Sequence, residues 1–188
     1  MSNPAKEQPQ GAPDFQGCPL RSSWVVYNRY KRQEKRVVDS KNYHIDLEQL
    51  TTLSNLDEFM QFWKYTSYND LSTIFNPQRP CFLKSNSAQE RPKQVDAIFV
   101  FKKDVKPEWE DPLHRKGGYF QADLKLSEQQ LDDFWENLFI WIICGDYEHY
   151  ELITGFRLID NLKLHGCIRF EVWFTCGYEC YRRNGPEQ

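Results

Sequence analysis

The run Lys106-Pro107-Glu108-Trp109-Glu110-Asp111, followed after a short basic linker by Gly117-Gly118-Tyr119-Phe120, holds the residues best suited to chemistry. It sets an indole beside two acids in a loop that enters a strand through a glycine pair. An aromatic face attracts a flat, positively charged heterocycle by stacking and cation–π contact, at about 1–3 kcal/mol per stacked base. A carboxylate next to that face accepts hydrogen bonds from N–H groups on the ring edge. N7-methylguanine meets both demands: its methyl group makes the ring cationic, and its N1 and N2 both donate. Any phosphates attached to such a ligand would be repelled by Glu110, so the base end and the phosphate end require opposite charge.

The whole chain limits the alternatives. With 188 residues and 40% hydrophobic content it supports one domain with a real core. A formal charge of -3 gives no general attraction to long nucleic-acid backbones, so a nucleic-acid contact has to be local. No apolar run is long enough to span a bilayer, and residues 1–17 are polar and rich in Pro, Gln and Gly without a signal-peptide centre, which predicts a disordered tail on a cytoplasmic protein. The cysteines Cys18, Cys81, Cys144, Cys167, Cys176 and Cys180 form no C-x-x-C pair, and His165 alone lies near the last two, so they read as reduced, ordinary small side chains without a metal. None of these thiols, with His44, His114, His149 or His165, stands in a nucleophile context, so neither catalysis nor a cofactor is expected. The aromatic content of 15% is mostly core by default, and location must single out the exceptions.

Several elements would hold the loop. Ser23–Tyr30 and Tyr43–Leu50 read as strands, the second with Tyr43, Ile45 and Leu47 on one face. Ser54 or Asn55 caps a helix in which Leu56, Phe59, Met60 and Trp63 recur at helical spacing through Tyr65. Residues 76–94 are rich in Pro, Ser, Asn, Gln and charge and predict a long loop, mobile over 83–94. Val95–Lys102 and Gly118–Leu124 are the strands flanking the Trp109 loop. Ser127 and Gln130 resemble a capping box ahead of an apolar helix over Glu128–Cys144, ended by Gly145. Glu151–Leu164 and Cys167–Cys176 read as a final strand pair. Short turn-linked pairs imply antiparallel neighbours, hence an α+β fold with helices on one face of an antiparallel sheet.

Trp24 after Pro19-Leu20, Tyr43 in KNYHIDL, LDEFMQFW, FKKDVKPEWED with GGYF, LDDFW and FEVW together resemble the 5′-cap-binding translation initiation factors of the 4E class, from about Cys18 to Trp173. The resemblance implies a single cup-shaped domain over 18–176, with a curved antiparallel sheet and helices packed on its convex face. It implies that Tyr43 and Trp109 sandwich the methylated guanine of an mRNA cap, with Tyr43 where the family carries tryptophan. Glu110 would accept from N1 and N2, the Trp109 backbone N–H would reach O6, and Trp173 would lie beside the N7-methyl group. Lys163, Arg169 and His165 are the cations placed to meet the phosphates.

The same resemblance implies that the convex face binds a 4G-class scaffold protein or a 4E-binding repressor through Pro19, Leu20, Leu56, Met60, Trp135 and Glu136. Met60 replaces the family's usual tryptophan and Glu136 an apolar residue, which softens and repolarises that groove. The implied protein is a monomer that binds capped mRNA and recruits the scaffold. A cap-binding repressor that does not engage the scaffold, or an interaction protein without cap binding, are the other readings. Insertions before Tyr43 and around Ser85–Gln94, and a short tail over 177–188, depart from the family pattern.

Overall fold

The computed structural model describes residues 17–31, 47–76, 78, 82–83, 93–145 and 147–176. Tyr43, His44, the insertion before them, the N-terminal tail, most of the second insertion and the tail over 177–188 lie outside the described residues. The strands are β1 (Pro19–Tyr30), β2 (Leu47–Asn55), β3 (Phe82–Leu83), β4 (Lys93–Lys102), β5 (Gly118–Leu124), β6 (Ile153–Asn161) and β7 (Cys167–Phe174). The helices are α1 (Leu56–Tyr65), α2 (Leu71–Ile74), α3 (Glu128–Cys144) and α4 (Leu162–His165). The strands form a curved antiparallel sheet in the order β2-β1-β4-β6-β7-β5, with β3 against one end of β4.

The expected α+β architecture is therefore the observed one, with several shifted boundaries. The second strand was expected over Tyr43–Leu50, but β2 continues to Asn55. Thr51, Thr52 and Leu53 pair with Val26, Val25 and Trp24, and burying Leu53 against the helices extends the pairing beyond the local pattern. The expected loop over 76–94 contains β3, and its last residues, Lys93 and Gln94, already belong to β4, because they pair with Leu83 and Phe82. The expected strand over Glu151–Leu164 stops at Asn161, where the Asp160 carboxylate accepts the Leu162 N–H at 3.0 Å and starts the short turn α4.

Both long helices carry the caps predicted for them. Asn55 Oδ1 accepts the Glu58 N–H at 2.9 Å at the start of α1. Ser127 and Gln130 satisfy each other's backbone N–H groups at the start of α3, and Gly145 closes it in the left-handed region at φ 64. Each such cap contributes roughly 1 kcal/mol.

Period-2 alternation divides the sheet's side chains between two clusters. Trp24, Val26, Leu53, Ile98, Val100, Phe156, Leu158 and Ile168 face the helices and join Phe59, Phe62, Trp135 and Phe139 in the main core. Ala97, Phe99, Phe101, Val105 and Trp173 form a smaller cluster on the opposite, helix-free face, with Tyr27, Leu47 and Ile159 against it. Trp135, expected on the partner surface, belongs to the main core instead. It is 0% exposed, stacks on Phe139 at 4.9 Å, and its indole N–H donates to the Tyr68 carbonyl at 2.6 Å. A tryptophan on the sheet-facing side of an amphipathic helix is driven inward by its area, and the Tyr68 carbonyl satisfies its one polar atom.

Candidate functional site

Strand pairing sets three rows of side chains across the helix-free face. Val25, Phe101, Gly155, Trp173 and Tyr119 make one; Tyr27, Phe99, Arg157, Glu171 and Gln121 the next; Arg29, Ala97, Ile159, Arg169 and Asp123 the third. The Trp109 loop leaves β4 at the end of the first row and returns as β5, so it overhangs Trp173 and Tyr119. Gly155 is required in that row, because a Cβ there would lie 2.3 Å from the Phe101 ring.

The loop is built around two buried polar residues. Asp111 accepts the Lys106 N–H with one carboxylate oxygen and the Leu113 N–H with the other, both at 2.9 Å. His114 places Nδ1 2.6 Å from the Glu108 carbonyl and Nε2 3.1 Å from the Thr154 hydroxyl. Since a carbonyl only accepts, Nδ1 carries the hydrogen of that bond. The His114 ring also packs edge-on against Phe101 and Trp173, at 5.9 and 4.8 Å. Gly117 closes the loop against β7, where a Cβ would fall 1.8 Å from the Phe174 carbonyl oxygen.

These contacts aim Trp109 and Glu110 outward. Trp109 is 48% exposed, with its ring 4.6 Å from Trp173 and 5.1 Å from Tyr119. Tyr119 stacks on Trp173 at 5.4 Å, an interplanar angle of 19°. Trp173 itself is only 1% exposed, because Trp109, Tyr119, His114, Phe101 and the Arg157 guanidinium close around it. Glu110 is exposed, and among the described residues no group engages its carboxylate or the Trp109 backbone N–H. An aromatic cluster with one half-exposed face and an unengaged carboxylate at its rim can hold a flat cation that donates hydrogen bonds.

Among the described residues, the arginines of the three rows are paired. Arg157 donates from Nε and a terminal nitrogen to Glu171 at 2.6 and 2.9 Å, and Glu171 also accepts the Trp173 indole N–H at 3.0 Å. Arg169 donates twice to Asp123, at 2.8 and 3.2 Å. That hydrogen bond holds the Asp123 carboxyl below its ordinary value and raises the Arg169 guanidinium. Arg29 meets Asp96 at 2.7 Å, and Lys31 meets Asp160 at 2.7 Å. Burial alone pushes the Tyr27 phenol up.

Of the residues singled out from sequence, Trp109, Glu110 and Trp173 come together and Arg169 faces the same side two strand positions beyond Glu171. Lys163 and His165 are exposed on α4, at the far hairpin from Trp173, beside an 81% exposed Leu164. On the other face, Met60 is 49% exposed, Pro19 and Glu136 are exposed, and Leu20 and Leu56 are half-buried. Sequence reasoning missed the structural duties of Asp111 and His114 and overlooked Tyr119, Asp123, Arg157 and Glu171. An isolated Arg157 in GFRLI and an isolated Glu171 in RFEVW, opposite charges within apolar strands, were the available signal.

A family model described as Eukaryotic initiation factor 4E matches residues 19–176. The chain belongs to the eukaryotic initiation factor 4E family. Relatives in the initiation factor 4E family include the translation initiation factor 4E of Aplysia californica, 29% identical over 140 residues that cover 73% of this chain and 53% of the relative. That of Candida albicans is 30% identical over 120 residues, covering 62% and 46%. The chain thus spans about half the length of the curated relatives it matches.

Among solved structures of initiation factor 4E proteins, the Schistosome factor complexed with m7GpppG and 4E-BP superposes with a TM-score of 0.60 at 22% identity, covering 86% of this chain and 74% of that one. The Ascaris suum factor with an m2,2,7G cap gives 0.59 at 18% identity, covering 87% and 76%. At these identities the likeness establishes the shared fold. The family is one of translation initiation factors, not of enzymes.

Proposed function

We propose that this chain binds the 7-methylguanosine 5′ cap of mRNA on its helix-free, concave face, without catalysis, cofactor or metal. The observation that carries this reading is the half-exposed Trp109 ring over Trp173 and Tyr119 with the unengaged Glu110 carboxylate beside it. Trp109 stacks on the methylated base, opposed by Tyr43. Glu110 and the Trp109 backbone N–H read the guanine edge, and Trp173 meets the methyl group once Trp109 has moved aside to admit the base. The cations Arg169, Lys163 and His165 are the phosphate-side groups of this reading. The relatives crystallised with m7GpppG and with an m2,2,7G cap support it by their ligands.

The convex face takes a helical partner segment along Pro19, Leu20, Leu56, Met60 and Glu136; that a Schistosome relative is complexed with 4E-BP supports a protein partner. A 4G-class scaffold is the partner of an initiating protein in the cytoplasm. The exposed Glu136 charge favours a second reading, a cap-bound repressor that does not engage that scaffold. Retention on immobilised 7-methylguanosine triphosphate, competed by methylated but not by unmethylated GTP, tests the cap reading. No retention at low salt sinks it. Capture of a 4G-derived peptide by the cap-bound protein, lost in Met60→Ala, separates initiation from repression.

A further inference from the structure

Each arginine in the three rows of the helix-free face is bound by a carboxylate of the same chain. Arg169 spends two N–H groups on Asp123, and Arg157 spends two on Glu171, whose carboxylate is sealed beneath Trp173. Arg29 is held by Asp96, and Lys31 at the end of β1 by Asp160. Lys163 and His165 sit beyond Cys167, roughly 20 Å along β7 from Trp173 at about 3.3 Å per residue. Among the described residues, the three arginines of these rows and Lys31 thus pair their positive charge with negative charge.

A phosphate arriving at Arg169 has to displace or share Asp123. Displacement exchanges one bidentate charge-assisted pair for another and leaves a carboxylate facing the phosphate, so the attraction is largely cancelled by repulsion. The same holds at Arg157, where moving Glu171 would also strip the Trp173 indole N–H of its acceptor. Resting on the cap reading above, we infer that Asp123 and Glu171 are specificity-determining residues: they make the pocket read the methylated base while discounting the number of phosphates behind it. The ligand class is the 7-methylguanine nucleotide as such, with the monophosphate held nearly as well as the triphosphate.

The experiment is a tryptophan-fluorescence titration at low and moderate salt with 7-methylguanosine mono-, di- and triphosphate, on the full chain and on Asp123→Asn. Asp123 lies at the exposed sheet edge, and among the described residues its side chain hydrogen-bonds Arg169 and no backbone group, so the variant tests charge rather than folding. The expected wild-type affinities fall within about 3-fold of one another across the series, and Asp123→Asn binds the triphosphate about 10-fold more tightly while leaving the monophosphate unchanged. A wild-type series that steepens about 10-fold with each phosphate overturns the inference and leaves the cap reading standing. So does an Asp123→Asn series as flat as wild type. Failure of every methylated nucleotide to bind overturns the cap reading and the inference together.

Discussion

Replacing Asp111 with Ala should loosen the Trp109 loop and weaken ligand binding without touching any ligand-facing atom. The carboxylate is 7% exposed and accepts the Lys106 and Leu113 N–H groups, both at 2.9 Å. Each hydrogen bond to a charged acceptor is worth about 1.5–3 kcal/mol, and water reaching this surface loop recovers part of that, so a net loss of about 2–3 kcal/mol follows. For a chain of this length that lowers the thermal midpoint by about 4–12 °C. Asp111→Asn keeps one acceptor but turns an amide N–H toward a backbone N–H, so it should recover less than half the loss. Glu110→Ala is the control: it removes a surface carboxylate, leaves thermal unfolding unchanged, and weakens binding of 7-methylguanosine triphosphate by about 10- to 100-fold, the equivalent of about 1.5–3 kcal/mol. Calorimetry paired with fluorescence titration separates the two effects. An Asp111→Ala protein that unfolds and binds like wild type would refute the view that this residue organises the loop.

Three further outcomes follow from the same contacts. Trp135→Ala should destabilise by about 3–5 kcal/mol in denaturant unfolding, because it empties the space against Phe139 and Phe156 and removes the donor to the Tyr68 carbonyl, whereas Met60→Ala should stay within about 0.5 kcal/mol of wild type. Burial, reinforced by Tyr150, pushes the Tyr147 phenol up to about 12, above its unfolded value of 10.0. Stability from that neutral phenol is present below pH 10 and is lost as pH rises through the folded value, since the unfolded chain deprotonates first. Stability measured over that window should decline with pH, and Tyr147→Phe should flatten the decline without destabilising the neutral protein, because the buried hydroxyl has no hydrogen-bond partner among the described residues.

Much of the architecture was legible because local signals and burial agreed. Asn55, Ser127, Gln130 and Gly145 bound their helices as expected, since capping depends on residues three or four positions apart. β2 was misjudged because Thr51 to Ser54 carry little hydrophobic alternation of their own and are strand only through pairing with β1. Trp135 was misjudged because helical periodicity marks an apolar stripe without saying which neighbour covers it. At the site, Trp109 and Glu110 were readable because one contiguous loop supplies both the ring and the acid. Asp111 received no role from the sequence, yet its carboxylate holds the loop's own backbone.

The amino-acid sequence by itself determined the order of the long strands and of the two long helices, and set an indole beside a carboxylate at Trp109-Glu110, because these rest on neighbouring residues and on family-wide motifs. Tertiary structure alone decided which charges cancel. Arg157 and Glu171 are far apart in the chain, as are Asp123 and Arg169, and β6, β7 and β5 bring them together only in the observed register. A slip of one residue would turn every one of those side chains to the opposite face of the sheet, so the charge of the candidate pocket is a property of strand pairing.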